Sequence, residues 1–87
     1  LGEISLKVPV GRCMDVNAAI GPGGSGVELR TINRSSGDEL GLVRGNFSAT
    51  ARTCALRAAE TLELKVELRV LSGSAQALVT TRLIDPR

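Results

Sequence analysis

Residues 62–70 of this 87-residue chain alternate apolar and charged side chains without exception. The even positions are leucine or valine, and the odd positions are glutamate, lysine or arginine. A period of two puts every apolar side chain on one face of an extended strand. On a helix the same residues would spread over most of the circumference, although several of them favour helices intrinsically. The segment therefore predicts a half-buried β-strand.

A long β-hairpin is predicted over residues 60–84. Its turn is Ser72-Gly73-Ser74, because glycine tolerates the positive φ that tight hairpins require. The return strand, residues 76–84, is rich in β-branched side chains but alternates less cleanly. The alternating charges on the outer face of the first strand are typical of a solvated surface.

Five further segments have the composition and alternation of strands, and Gly, Ser and Asn separate them. Pro9 cannot donate a ladder hydrogen bond, so the first strand is expected at a sheet edge. Seven short strands at regular intervals indicate an all-β sandwich or barrel. We predict a seven-stranded antiparallel β-sandwich that forms one domain over residues 1–87. The five segments are residues 2–10, 13–20, 27–32, 40–44 and 46–52.

The only two cysteines, Cys13 and Cys54, predict a disulfide that staples a small domain with a modest core. The alternative is two unrelated buried thiols in a cytosolic domain. Two Asn-X-Ser triplets place possible N-glycosylation at Asn33 and Asn46. The chain opens at Leu1 and not at Met, which suggests an excised or processed domain. Together these features predict a secreted or ectodomain fragment.

Composition argues against several functions. The net charge is only +2 with both signs interspersed, and Phe47 is the sole aromatic residue, so a nucleic-acid surface is not expected. No apolar run is long enough to cross a bilayer, so we expect no membrane insertion by this segment. Histidine is absent, which removes Ser-His-Asp and Cys-His catalysis and imidazole metal sites. We predict no catalytic residues, no metal and no cofactor.

A glycine-rich segment, Gly21-Pro22-Gly23-Gly24-Ser25-Gly26, is predicted to be a turn or flexible loop. It matches G-x-G-x-x-G, but that motif holds a pyrophosphate only where a helix follows the glycines. An alternating strand follows them here. If the segment has a role beyond connection, it is as a binding loop.

Residues 40–61 and the alternating strand after them resemble the terminal module of fibulins and hemicentins, and the same segment is similar to a cadherin repeat. The resemblance implies an extracellular, cadherin- or immunoglobulin-like β-sandwich. At the place of the cadherin calcium motif, residues 56–60 read Leu-Arg-Ala-Ala-Glu, and the chain ends Ile-Asp-Pro-Arg. Glu60 and Asp85 supply too few oxygen ligands for calcium. No calcium site is predicted.

The leading hypothesis is a non-enzymatic extracellular structural or adhesion module. Its partners would be other extracellular proteins or neighbouring domains. The alternative is a ligand-binding or assembly subunit of a microbial surface or secreted complex, which would receive a partner strand at an exposed edge. Self-association through such an edge is part of this alternative.

Overall fold

The structure, a computed structural model, describes residues 2–55 and 61–85. These residues form seven strands and no helix. All strand pairs are antiparallel, in a four-stranded sheet of order β1-β6-β3-β4 and a three-stranded sheet of order β5-β2-β7. The predicted all-β, seven-stranded antiparallel fold is confirmed. The strands are β1 (Gly2–Val8), β2 (Cys13–Ile20), β3 (Gly24–Asn33), β4 (Glu39–Gly45), β5 (Ser48–Cys54), β6 (Leu62–Gly73) and β7 (Ala77–Ile84).

The predicted hairpin over residues 60–84 was wrong. β6 belongs to the four-stranded sheet and β7 to the three-stranded sheet, so residues 74–76 carry the chain from one sheet to the other. The predicted turn is instead the end of β6, where Ser72 and Gly73 pair with Ser25 and Gly24. Alternation reports which face a strand buries, but it carries no information about which strand lies beside it. Adjacency in sequence was therefore a poor guide to pairing.

Three of the five strand pairings are nested one inside another, and β3 also pairs with β6. β3 pairs with β4, β2 with β5 and β1 with β6, and β7 lies along the free side of β2. Jelly rolls, which consist of two sheets built from Greek keys, are wound in this way. In an immunoglobulin constant domain the first two strands are neighbours in one sheet. Here β1 and β2 lie in different sheets, so the pairing supports a sandwich without supporting the immunoglobulin-like strand order.

The core lies between the sheets and consists of aliphatic side chains. On β6 the alternation has the predicted effect, since Leu64 and Val66 are buried while Glu63 and Arg69 are exposed. The three-stranded sheet contributes small residues, Ala18, Ala49 and Ala51 among them. The largest fully buried side chains are Leu29, Leu64, Val8, Val16, Val27, Val66 and Cys13.

The predicted disulfide between Cys13 and Cys54 is confirmed. The two cysteines stand directly opposite each other on β2 and β5, and Cys13 is buried. The bond closes a loop with a sequence separation of 41 residues. That loop contains β3 and β4. The disulfide therefore joins the two ends of the segment that contains β3 and β4.

The glycine-rich segment is a loop only in part. β3 begins at Gly24, so the prediction of a loop was wrong for Gly24, Ser25 and Gly26. The remaining residues are packed, because Gly21 N donates to Gln76 O at 3.0 Å and Ser74 N donates to Gly23 O at 3.0 Å. Gly23 has φ +103°, and a Cβ there would lie 2.6 Å from Ser74 O. Glycine allows the two crossovers between the sheets to lie against each other.

Removing the disulfide should lower the free energy of unfolding by about 4 kcal/mol, because the unfolded chain regains the freedom of an uncrosslinked loop. The test is urea unfolding of the double variant Cys13→Ala, Cys54→Ala against the wild type. Dithiothreitol should destabilise the wild type by a similar amount and leave the double variant unchanged. A wild type that is insensitive to reductant would contradict this assignment.

Substituting Gly23 should show how much stability depends on the close approach of the two crossovers. Gly37 is the matched control, because it also has a positive φ of +80° but a Cβ there meets nothing within 4 Å. We expect Gly37→Ala to cost roughly 1 kcal/mol for the left-handed backbone alone. Gly23→Ala should cost roughly 1–3 kcal/mol more, because the crossovers must separate. Equal losses in thermal or urea unfolding would show that the close approach is unimportant.

Candidate protein-interaction site

The sandwich is closed along one side. There β4 and β5 are joined by the two-residue turn of Asn46 and Phe47, and the two strands lie against each other across the layers. Two backbone hydrogen bonds fix this turn to both sheets: Gly26 N donates to Asn46 O at 2.7 Å, and Ile20 N donates to Phe47 O at 2.9 Å. The four-stranded and three-stranded sheets are therefore aligned on this side.

The opposite side of the sandwich is open, because one sheet has a strand more than the other. Among the described strands, β1 packs closely only on β6 and β7 only on β2. Their inward-facing side chains show the gap. Ile4 and Leu6 of β1 are only partly buried, and Thr81 and Leu83 of β7 are exposed, although their partners Val16 and Met14 on β2 are buried. β1 therefore overhangs a vacant position beside β7.

An apolar groove of about 170 Å³ opens into this gap. Its walls come from both sheets, with Glu3 as the charged residue at the rim. A cavity of about 150 Å³ lined by aliphatic side chains can hold a benzene-sized group. The groove has room for one large aliphatic or aromatic side chain. It is lined by Gly2, Glu3, Ile4, Leu29, Val66, Leu68 and Val79.

The edge of β7 lacks the features that usually protect an edge strand, which are charges, proline and bulges. Its register with β2 is continuous from Ala77 to Ile84, it contains no proline, and Arg82 is its only charged residue. Leu78 on the outer face is 68% exposed. Along its free side, β7 presents backbone amide and carbonyl groups that no other described strand pairs.

Charges on the outer face of the three-stranded sheet leave Arg82 available. Asp15 stands between Arg52 of β5 and Arg82 of β7 in the strand register. Arg52 binds the Asp15 carboxylate with both Nε and Nη2, at 2.7 and 3.0 Å. These hydrogen bonds hold the pKa of Asp15 below its ordinary value, partial burial opposes them, and the charges of Arg52 and Arg82 add smaller lowering effects. Within residues 2–55 and 61–85, Arg82 forms no ion pair of its own.

The outer face of the four-stranded sheet carries an ion-pair network. The alternating charges of β6 take part in it, since Glu67 lies 3.8 Å from Arg30 and 3.5 Å from Lys65. Its centre is Glu28, which is only 5% exposed and accepts a hydrogen bond from Arg44 Nε at 3.2 Å. Sequence analysis missed Glu28, whose burial follows from the central place of β3 in the sheet. These charges bind one another, so the network stabilises the sheet.

The two predicted glycosylation sites lie near opposite ends of β3. Asn33 ends that strand and is partly buried, and its Oδ1 accepts a hydrogen bond from Ser35 N at 3.0 Å. Asn46 is exposed in the turn between β4 and β5. The segment after Asn33 lies close to β1, because Arg34 Nη1 donates to Ser5 Oγ at 2.9 Å.

The segment offered in place of a cadherin calcium motif, residues 56–60, lies outside the described residues. Asp85 is described, and its Oδ1 pairs with Arg12 Nε at 2.9 Å. Across residues 2–55 and 61–85, no three histidine, cysteine or carboxylate side chains come together as a metal site would need. The described part of the chain contains no apolar helix of membrane-spanning length.

Comparison of the chain with protein-family models, with curated proteins and with solved structures found no significant match.

Replacing Arg52 should raise the pKa of Asp15 toward its ordinary value, because Arg52→Gln removes both the charge and the bidentate contact. The folded-state pKa of Asp15 lies below the unfolded value. Its contribution to stability is therefore present above the unfolded pKa and is lost as pH falls through the folded pKa. NMR titration of the Asp15 carboxyl carbon measures this shift. Arg69→Gln, which removes a similar charge from the other sheet, should leave the titration unchanged, and an equal shift in both variants would contradict the local cause.

Proposed function

We propose that this protein is a non-enzymatic extracellular module that makes protein–protein contacts through the open side of its sandwich. The observation that carries this proposal is the bare edge of β7 beside an apolar groove. An unprotected edge strand pairs readily with another chain, through main-chain hydrogen bonds that give affinity and side-chain pockets that give specificity. Among the surfaces of the described residues, this one combines both features.

The extracellular assignment rests on different residues. A disulfide joins Cys13 and Cys54, and such bonds persist mainly in oxidising compartments. Asn33 and Asn46 stand at turns, where acceptor triplets in secreted proteins are typically found. In this proposal the disulfide staples a small core, the glycans lie at turns, and the edge strand remains available to a partner.

The second candidate is an assembly subunit of a microbial surface or secreted complex. The observation in its favour is that the four-stranded sheet extends one strand, β1, beyond the edge of β7. Subunits that accept a strand from a neighbour bind by this mode. The two candidates share the site and differ in what carries the partner segment.

The contact function should appear as selective peptide capture. We expect a displayed library of random dodecapeptides to yield binders to the wild-type domain, because the edge and the groove together offer backbone pairing and an apolar pocket. Binding of the enriched peptides should be lost in Val79→Glu and retained in Leu42→Glu, which places the same charge on the outer face of β4. A library that yields no binder, or turnover of a substrate by the purified domain, would overturn the proposal.

Secretion from eukaryotic cells separates the two candidates. A monomer that carries glycans on Asn33 and Asn46, detected by intact mass and lost in Asn33→Gln and Asn46→Gln, would favour the adhesion module. An unglycosylated domain that forms higher assemblies in sedimentation velocity would favour the assembly subunit.

A further inference from the structure

The two sulfurs of the disulfide differ in their access to solvent. Cys13 is only 2% exposed, whereas Cys54 is an exposed residue. We infer that low-molecular-weight thiols react with the folded domain at Cys54, so that the disulfide is a site of reversible thiol exchange as well as a structural link. Cys54 lies on β5, at the opposite edge of its sheet from β7, and is therefore separate from the proposed contact surface.

The difference in exposure follows from the positions of the two strands. Cys13 begins β2, the central strand of the three-stranded sheet, and in the register it stands between Cys54 of β5 and Ile84 of β7. Cys54 ends β5, which is an edge strand, and no other described strand pairs with the outer side of β5. Access is one of the factors that decide which sulfur of a disulfide a thiolate attacks. Here it favours Cys54.

The direction of attack favours the same sulfur. A thiolate approaches a disulfide sulfur in line with the S–S bond, from the side opposite the leaving sulfur. The bond joins directly opposite residues of neighbouring antiparallel strands, so it runs across the sheet from β2 to β5. The line into Cys54 therefore enters from the free side of β5. The line into Cys13 crosses β7, where Ile84 stands.

The reaction exchanges one disulfide for another. The incoming thiolate forms a new S–S bond with Cys54, the bond between Cys13 and Cys54 breaks, and Cys13 leaves as a thiolate that takes a proton from solvent. The product has a mixed disulfide on Cys54 and a thiol on Cys13, with no net oxidation or reduction. Because the two residues remain opposite each other, Cys13 can attack Cys54 in turn, which expels the small thiol and restores the original bond.

Non-covalent contacts hold the two strand ends together while the bond is open. On one side of the disulfide, Gly11 N donates to Ala55 O and Ala55 N donates to Arg12 O, both at 3.0 Å. Ala55 is also buried in the core. On the other side, Arg52 binds Asp15 through Nε and Nη2. Thiol exchange at Cys54 therefore does not require the domain to unfold.

Mapping the first product on the wild-type domain tests the choice of sulfur. The domain is incubated with glutathione, quenched in acid at early times, alkylated with N-ethylmaleimide at mildly acidic pH and analysed by peptide mass spectrometry. Glutathione should be found on Cys54 and the maleimide on Cys13, roughly tenfold in excess of the reverse arrangement. An even distribution, or glutathione mainly on Cys13, would overturn the inference.

The dependence of the rate on urea tests whether the folded state reacts. We expect the rate to rise linearly with glutathione concentration and to change little in urea below the unfolding transition. A reaction that passes through the unfolded chain would instead accelerate steeply with urea, because the unfolded population grows exponentially with denaturant. Such acceleration would show that the folded disulfide is inert to thiols.

Single-cysteine variants provide a matched comparison of the two thiols. Cys13→Ser leaves the exposed Cys54, which should react with iodoacetamide in the folded protein. Cys54→Ser leaves the buried Cys13, which should react roughly tenfold more slowly. Equal rates in two folded variants would count against the inference. If either variant folds poorly, its far-UV circular dichroism will show it, and product mapping on the wild-type domain then decides.

Discussion

The rest of the sandwich depends on the packing of the inward face of β6 in the core. Leu64 and Val66 are almost fully buried, and β6 pairs with β1 on one side and β3 on the other. Its outward charges join an ion-pair network in which the buried Glu28 is satisfied by Arg44 and Arg30. One strand therefore anchors the core and the polar surface of the four-stranded sheet. The smaller sheet, with its alanine-rich inner face, packs against this platform.

Local patterns in the sequence were sufficient to predict the strands, but they were insufficient to predict how the strands pair. Alternation predicted the burial of Leu64 and Val66, and the pair of cysteines predicted the disulfide. Both predictions need only the identity and the spacing of the residues. The predicted hairpin was wrong because Ser72 and Gly73 continue β6, and the chain crosses to the other sheet only over residues 74–76. The groove could not be foreseen, since Ile4, Leu68 and Val79 meet only through pairing of strands distant in sequence.

The two outer faces and the open side of the sandwich differ in how their charged and apolar residues are arranged. On the four-stranded sheet, Glu28, Arg30, Arg44, Lys65 and Glu67 form an ion-pair network on the solvated face. On the three-stranded sheet, Asp15 is held by Arg52, and Arg82 remains beside the free edge. The glycine-rich segment, an attractive candidate in the sequence, is occupied in bringing two crossovers together. In the proposed function, recognition of a partner is therefore concentrated on β7 and the groove.

Nested pairing also has a consequence for the order in which the chain can fold. β3 and β4 are neighbours in sequence, whereas β1 pairs with β6 across most of the chain, so the loop-closure entropy rises from the inner pair outward. We expect folding to proceed outward from β3 and β4, to pass through the pair that carries Cys13 and Cys54, and to be slow for a chain of this size. β7, paired with β2 alone, would dock last. The free edge of β7 would then form only after the other described strands have paired, so it would be absent from partly folded chains.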